Sequence, residues 1–99
     1  MAKVVLTMQY EVAEEDRQEY LSAVQKLKSH YAANEHVAYS AFEQKGKRNV
    51  FAEMFVAQSE EAFKQYEESD DETADTLAQK IAEFSIGGKA KYATLVEAV

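Results

Sequence analysis

Apolar and polar side chains alternate over residues 3–12: Val4, Leu6, Met8, Tyr10 and Val12 fall in one set, Lys3, Val5, Thr7, Gln9 and Glu11 in the other. A two-residue period puts successive side chains on opposite faces of a strand. From Glu14 the period lengthens. Tyr20, Leu21, Val24, Leu27, Lys28 and Tyr31 recur at three and four residues, the spacing of one helix face, and Glu14, Glu15 and Asp16 supply negative charge at the positive end of the helix dipole. The pattern predicts a helix over 14–33, with Asn34 as its stop. Alternation returns over 37–44 and 50–57, separated by a polar stretch containing Gly46, which predicts a hairpin. Ser59 can accept a hydrogen bond from a free backbone N–H, so a short helix is predicted from there to residue 68. Ser69, Asp70 and Asp71 offer a break and a second cap before Ala74, Leu77, Ala78, Ile81, Ala82 and Phe84 form another helical stripe that ends ahead of Gly87 and Gly88. Residues 90–99 alternate once more.

The order β-α-β-β-α-α-β predicts an α+β domain, a four-stranded antiparallel sheet with its helices on one face, in the ferredoxin-like split β-α-β arrangement. No linker, low-complexity tract or repeat divides the chain, so residues 1–99 are expected to form one domain. Matching faces to the first strand places Ala38, Ser40, Phe42, Ala52, Met54, Val56, Tyr92, Thr94 and Val96 with Val4, Leu6, Met8 and Tyr10 under the helices. The other face is then expected to carry Val37, Tyr39, Phe51, Glu53, Phe55 and Leu95, an apolar patch larger than a soluble monomer usually shows to water. A homodimer through the face bearing Val37, Tyr39, Phe51, Phe55 and Leu95 is the symmetric way for identical chains to cover it.

Composition narrows the partners. Over residues 59–75 eight acids stand against Lys64, which accounts for the whole net charge of −7. Elsewhere the charges balance, and Lys45, Lys47 and Arg48 are too few to track a phosphate backbone, so nucleic acid is not expected as a partner. The chain has no cysteine, which excludes disulfides, thiolate metal sites and cysteine nucleophiles and fits a cytoplasmic protein. Its first residues show no signal-peptide h-region, and no run approaches the length of a membrane span; no membrane association is expected. For 11.2 kDa, size scaling gives a folded surface of about 5,700 Å².

The element order, the hairpin over 37–57 and the run Phe51-Ala52-Glu53-Met54-Phe55-Val56-Ala57-Gln58-Ser59-Glu60-Glu61-Ala62-Phe63 resemble the antibiotic-biosynthesis monooxygenase-like family of the dimeric α/β-barrel superfamily. In that family the third strand commonly carries an aromatic, a glutamate and then a tryptophan, followed by Ser-x-Glu-Ala at the next helix start. Glu53, Ser59, Glu61 and Ala62 match, whereas Phe55 stands where tryptophan is frequent. The resemblance implies a small cofactor-independent monooxygenase-like protein acting on an aromatic or enolisable small molecule. It equally accommodates a non-catalytic dimeric ligand-binding or stress-response module. The later helix offers no histidine as an axial ligand, so the haem-degrading branch is disfavoured and no cofactor is expected.

Candidate chemistry is sparse. With two histidines and no cysteine, no metal site is expected. His36, whose unperturbed pKa lies near neutrality, can serve as a base or simply sit at the rim. Glu53, flanked by Phe51 and Phe55, must be hydrogen-bonded, paired or protonated if covered; Tyr39 on the second strand and Gln9 or Thr7 on the first are donors within reach, either as a structural contact or as part of a proton-moving site. Tyr10, Phe42, Met54, Tyr66 and Tyr92 are the expected lining of a small-molecule pocket between sheet and helices, though large side chains at core spacing also serve as plain core.

Overall fold

The alternating segments form the four strands of one antiparallel sheet in this computed structural model, which describes residues 2–99. They are β1 (Val4–Glu11), β2 (Val37–Glu43), β3 (Val50–Ala57) and β4 (Lys91–Val96), in the spatial order β2-β3-β1-β4. Helix α1 (Arg17–Tyr31) follows a 3-10 turn at Glu14–Asp16, and helices α2 (Glu60–Glu68) and α3 (Glu72–Glu83) lie between β3 and β4. The resulting architecture is the α+β, ferredoxin-like arrangement.

Helix α1 buries Tyr20, Ala23, Val24, Leu27 and Tyr31, one face of its 3.6-residue period, while α3 buries Ala74 and Ile81. Both short helices carry the caps read from the sequence. Ser59 Oγ accepts from the Ala62 N–H at 3.1 Å, and Asp71 Oδ1 accepts from the Ala74 N–H at 3.0 Å. Asp71 also meets His30 Nε2 at 2.7 Å, which ties the start of α3 to the last turn of α1.

At the other end of α1, Arg17 holds the β2–β3 hairpin. Its guanidinium reaches Glu43 Oε1 at 2.9 Å, Glu43 Oε2 at 2.6 Å and Asn49 Oδ1 at 2.6 Å. Glu14 receives Arg48 Nε at 2.5 Å and Asn49 Nδ2 at 3.1 Å. Asn49 is buried with φ +68°, a left-handed conformation that asparagine tolerates better than most residues, and its side chain is held from two sides.

The expected faces of β2 and β3 are reversed. β1 pairs Leu6 with Phe55, Met8 with Glu53 and Tyr10 with Phe51, while β2 pairs Tyr39 with Phe55. Directly opposed residues share a face, so Val37, Tyr39, Phe51, Glu53 and Phe55 lie beneath the helices, where all five are buried. Ala38, Ser40, Phe42, Ala52, Met54 and Val56 lie on the open side with Val5, Ala93 and Leu95. Of Val37, Tyr39, Phe51, Phe55 and Leu95, through which the dimer was expected to form, only Leu95 is on the open side. Periodicity states which residues of a strand share a face, but not which face the helices cover, and β3 is apolar on both.

Candidate active site

Reversal of β3 carries its one charged residue into the core. Glu53 is 4% exposed on the helix-covered face. A carboxylate there needs donors, and the topology supplies them from the strand on either side. Tyr10 of β1 donates to Glu53 Oε1, and the Tyr20 hydroxyl of α1 lies 2.8 Å from the Tyr10 oxygen, making a chain of two phenols and a carboxyl. Tyr39 of β2 stands on the other side, near enough for its hydroxyl to favour the ionised form of Glu53, but that hydroxyl is buried with no well-formed hydrogen bond. Burial dominates: loss of water raises the Glu53 pKa above the usual carboxylate range, and Tyr10 and Tyr39 offset it only in part. Burial, followed by the field of Glu53, likewise pushes the Tyr10 and Tyr39 hydroxyls well above the ordinary phenol value, so both remain donors.

Glu53 forms part of the wall of a cavity of about 430 Å³ between the sheet and α3. Leu6, Met8, Tyr10, Glu53, Phe55 and Tyr92 line it from the strands, Tyr66 from α2, and Ala78, Ile81, Ala82 and Ser85 from α3 and its end. The turn that follows closes one side with Gly88, which, like Gly87, has φ +65°, a conformation that a side chain would strain. The Phe55 ring stacks on Tyr66 at 5.2 Å between centroids and meets Tyr31 edge-on at 5.4 Å, so the aromatic wall is braced from behind. Ser85 Oγ is occupied by the Ala82 carbonyl at 2.9 Å. A wider depression of about 740 Å³ between α1 and α3 is lined by surface side chains such as Lys26, His30 and Glu72 and holds no comparable buried polar group.

The residues singled out from the sequence therefore divide. Glu53 and Tyr39 lie side by side, and Tyr10, Tyr66 and Tyr92 surround the cavity that Glu53 faces. Phe42 and Met54 are on the opposite side of the sheet and do not line it; Phe42 is 52% exposed. His36 precedes β2, where its N–H and that of Val37 donate to Asn34 Oδ1 at 2.7 and 3.0 Å. Five residues separate it from Ala41, the partner of Glu53, a strand distance of about 16 Å. Phe55 was missed as part of the site, as was the place of Tyr20 behind Tyr10. A glutamate in an otherwise apolar β3 was the available signal, since its donors had to come from neighbouring elements. Among the described residues no three His, Cys, Asp or Glu side chains converge as a metal site would require, and no helix is long and apolar enough to cross a membrane.

Solved structures share this architecture over nearly the whole chain. A conserved protein of unknown function and possible oxidoreductase from Bacteroides thetaiotaomicron superposes with a TM-score of 0.77 at 21% identity, over 96% of this chain and 97% of that one. SnoaB, a cofactor-independent oxygenase from Streptomyces nogalater, gives 0.73 at 13% identity over 94% and 90%. An antibiotic biosynthesis monooxygenase gives 0.71 at 15% identity over 100% and 98%. The chain has the antibiotic-biosynthesis monooxygenase fold. No protein-family model matches this sequence, and no curated protein does. At these identities the likeness carries the fold; the chemistry must be argued from the cavity.

Proposed function

We propose that this protein is a small cofactor-independent monooxygenase-like enzyme that takes an aromatic or enolisable molecule into the cavity beside Glu53. The observation that carries the reading is a buried carboxyl of raised pKa on the wall of an apolar, phenol-lined space. Such a carboxyl is a stronger base than one in water, and a low-dielectric wall strengthens its hydrogen bonds to a substrate. Tyr10 engages Oε1, which leaves Oε2 to accept from a ligand. Removal of a proton from an electron-rich phenol or enol leaves an anion that reacts with O₂ itself. A carbon–oxygen bond forms, the resulting peroxide takes the proton back from Glu53, and loss of water from a carbon that still bears hydrogen leaves a carbonyl. Tyr66 and Tyr92 are suited to orient the ring, and the Tyr10–Tyr20 pair to hold the base.

The same reading includes a homodimer through the open sheet face. The protomer exposes 6693 Å², about 1,000 Å² more than the size scaling for a compact monomer of this mass. That excess is comparable to the area of about 800 Å² that each partner buries in a standard interface. Phe42 and Leu95, both more than half exposed, stand on that face beside Val5, Met54 and Val56.

Oxygen uptake over a panel of electron-rich phenols and 1,3-diketones, in buffer containing a strong chelator, tests the enzyme reading. Uptake that incorporates ¹⁸O₂ into product and falls at least 100-fold in Glu53→Gln supports it. Turnover equal in the variant, or requiring added metal, overturns it.

A further inference from the structure

Glu53 is the only side chain with a formal charge on the cavity wall; among the described residues no lysine, arginine or histidine lines it. Its remaining polar groups are the phenols of Tyr10, Tyr66 and Tyr92 and the Ser85 hydroxyl, of which Tyr10 and Ser85 already donate within the chain. Three lysines adjoin lining residues in the chain: Lys80 is exposed on α3 and does not line the cavity, while Lys89 and Lys91 line a neighbouring groove with Gln9 and Glu11, Lys91 pairing with Gln9 on the open side of the sheet.

A second observation has the same sign. The α3 residues that line the space, Ala78, Ile81 and Ala82, belong to the C-terminal half of Glu72–Glu83, and Tyr66 belongs to the last turn of Glu60–Glu68. Both helices therefore bring the negative end of their dipole to the cavity, and their N-termini, where an anion would be welcome, point elsewhere. An anionic ligand would give up its hydration to meet a carboxyl, two helix C-termini and no compensating charge.

We infer that the cavity is a charge filter: it takes uncharged or cationic rings that carry an O–H donor for Glu53, and it excludes carboxylates, phosphates and sulfates of the same shape. This rests on the reading of the cavity as the ligand site, and it adds the chemical class that site selects.

The pair 2-naphthol and 2-naphthoate separates charge from shape. Each is titrated at neutral pH into the ¹⁵N-labelled protein, with backbone shifts followed at Leu6, Met8, Phe55 and Ala82. The expected result is saturable binding of 2-naphthol with shifts at those residues, and binding of 2-naphthoate at least tenfold weaker. In Glu53→Gln the gap between the two narrows, because the amide no longer repels the carboxylate. Equal binding of both by the wild type overturns the filter and leaves the ring site standing. Binding of neither, or shifts confined to the α1–α3 groove, overturns the ring site and the filter with it.

Discussion

Tyr10 reaches Glu53 on a diagonal: the residue directly opposite the glutamate is Met8, and Tyr10 stands opposite Phe51, two positions along β3. A long side chain spans such a diagonal, so the Tyr10 phenol reaches the base on the cavity wall although Met8 is its partner in the ladder. The geometry makes Glu53→Gln informative in two ways. Loss of the base should lower turnover by about 10²–10⁴, while the fold gains rather than loses stability at neutral and alkaline pH. The sign follows from the raised pKa. The folded state holds the Glu53 proton more tightly than the unfolded chain, so its contribution is complete below the ordinary value of 4.5 and is lost as pH rises through the folded value. Urea midpoints from pH 4 to 9 should therefore diverge upward for the variant relative to wild type. Midpoints that converge instead would show that the carboxyl is stabilising as an anion.

Two phenols flank the glutamate, and their removal should have opposite consequences. Tyr10→Phe takes away the donor to Oε1 and the partner of Tyr20, leaving buried oxygens unsatisfied, at a cost of about 1–3 kcal/mol. Tyr39→Phe removes a buried hydroxyl that has no well-formed hydrogen bond and should be neutral or stabilising by up to about 1 kcal/mol. Thermal melts of the two variants side by side decide this. A larger loss for Tyr39→Phe than for Tyr10→Phe would mean that Tyr39, and not Tyr10, holds the glutamate.

The sequence made the elements legible because their signals are local. Ser59 and Asp71 cap where their side chains and neighbours imply, and the 3.6-residue stripe of α1 from Tyr20 to Tyr31 faces the sheet. The cavity was half legible. Tyr10 and Tyr92 were on the expected face because β1 sets the reference and β4 pairs with it, Met8 opposite Tyr92. Phe42 and Met54 were misplaced because the face of β3 depends on its register with β1, which no local pattern encodes. A glutamate normally argues for the solvent side. Glu53 is buried instead because Tyr10 donates to it and Tyr39 stands beside it, relationships written across 43 residues of chain for Tyr10 and 14 for Tyr39.

The corrected face also changes which substitutions should dissociate the proposed dimer. Phe51 and Phe55 are core residues, so their replacement would unfold the protein and say nothing about assembly. Phe42→Asp puts a charge at the open face without disturbing a buried contact, since Phe42 is 52% exposed. Sedimentation should give a dimer for the wild type at micromolar concentration and a monomer for the variant, with unchanged circular dichroism. A wild type that remains monomeric at 100-fold higher concentration than the assay requires would remove the open face as an interface.

The hairpin anchor should respond to acid with the sign opposite to Glu53. Arg17 and the Asn49 N–H hold the Glu43 carboxyl down at about 2, and Arg48 with Asn49 holds Glu14 down at about 2, both from an ordinary 4.5. Groups whose folded pKa is depressed contribute stability above the unfolded value and lose it as pH falls toward the folded one, so this anchor weakens between 4.5 and about 2. Both carboxylates are exposed to water, so added salt should raise both pKa values. Arg17→Lys keeps the charge but loses the two-pronged contact at 2.6 and 2.9 Å, and should return Glu43 most of the way to its ordinary value. Carboxyl ¹³C titrations of wild type and variant, read together with the Asn49 amide, check the argument directly. A Glu43 that titrates near 4.5 in the wild type would mean that the guanidinium does not grip the hairpin in solution, and that Asn49 keeps its left-handed conformation without it.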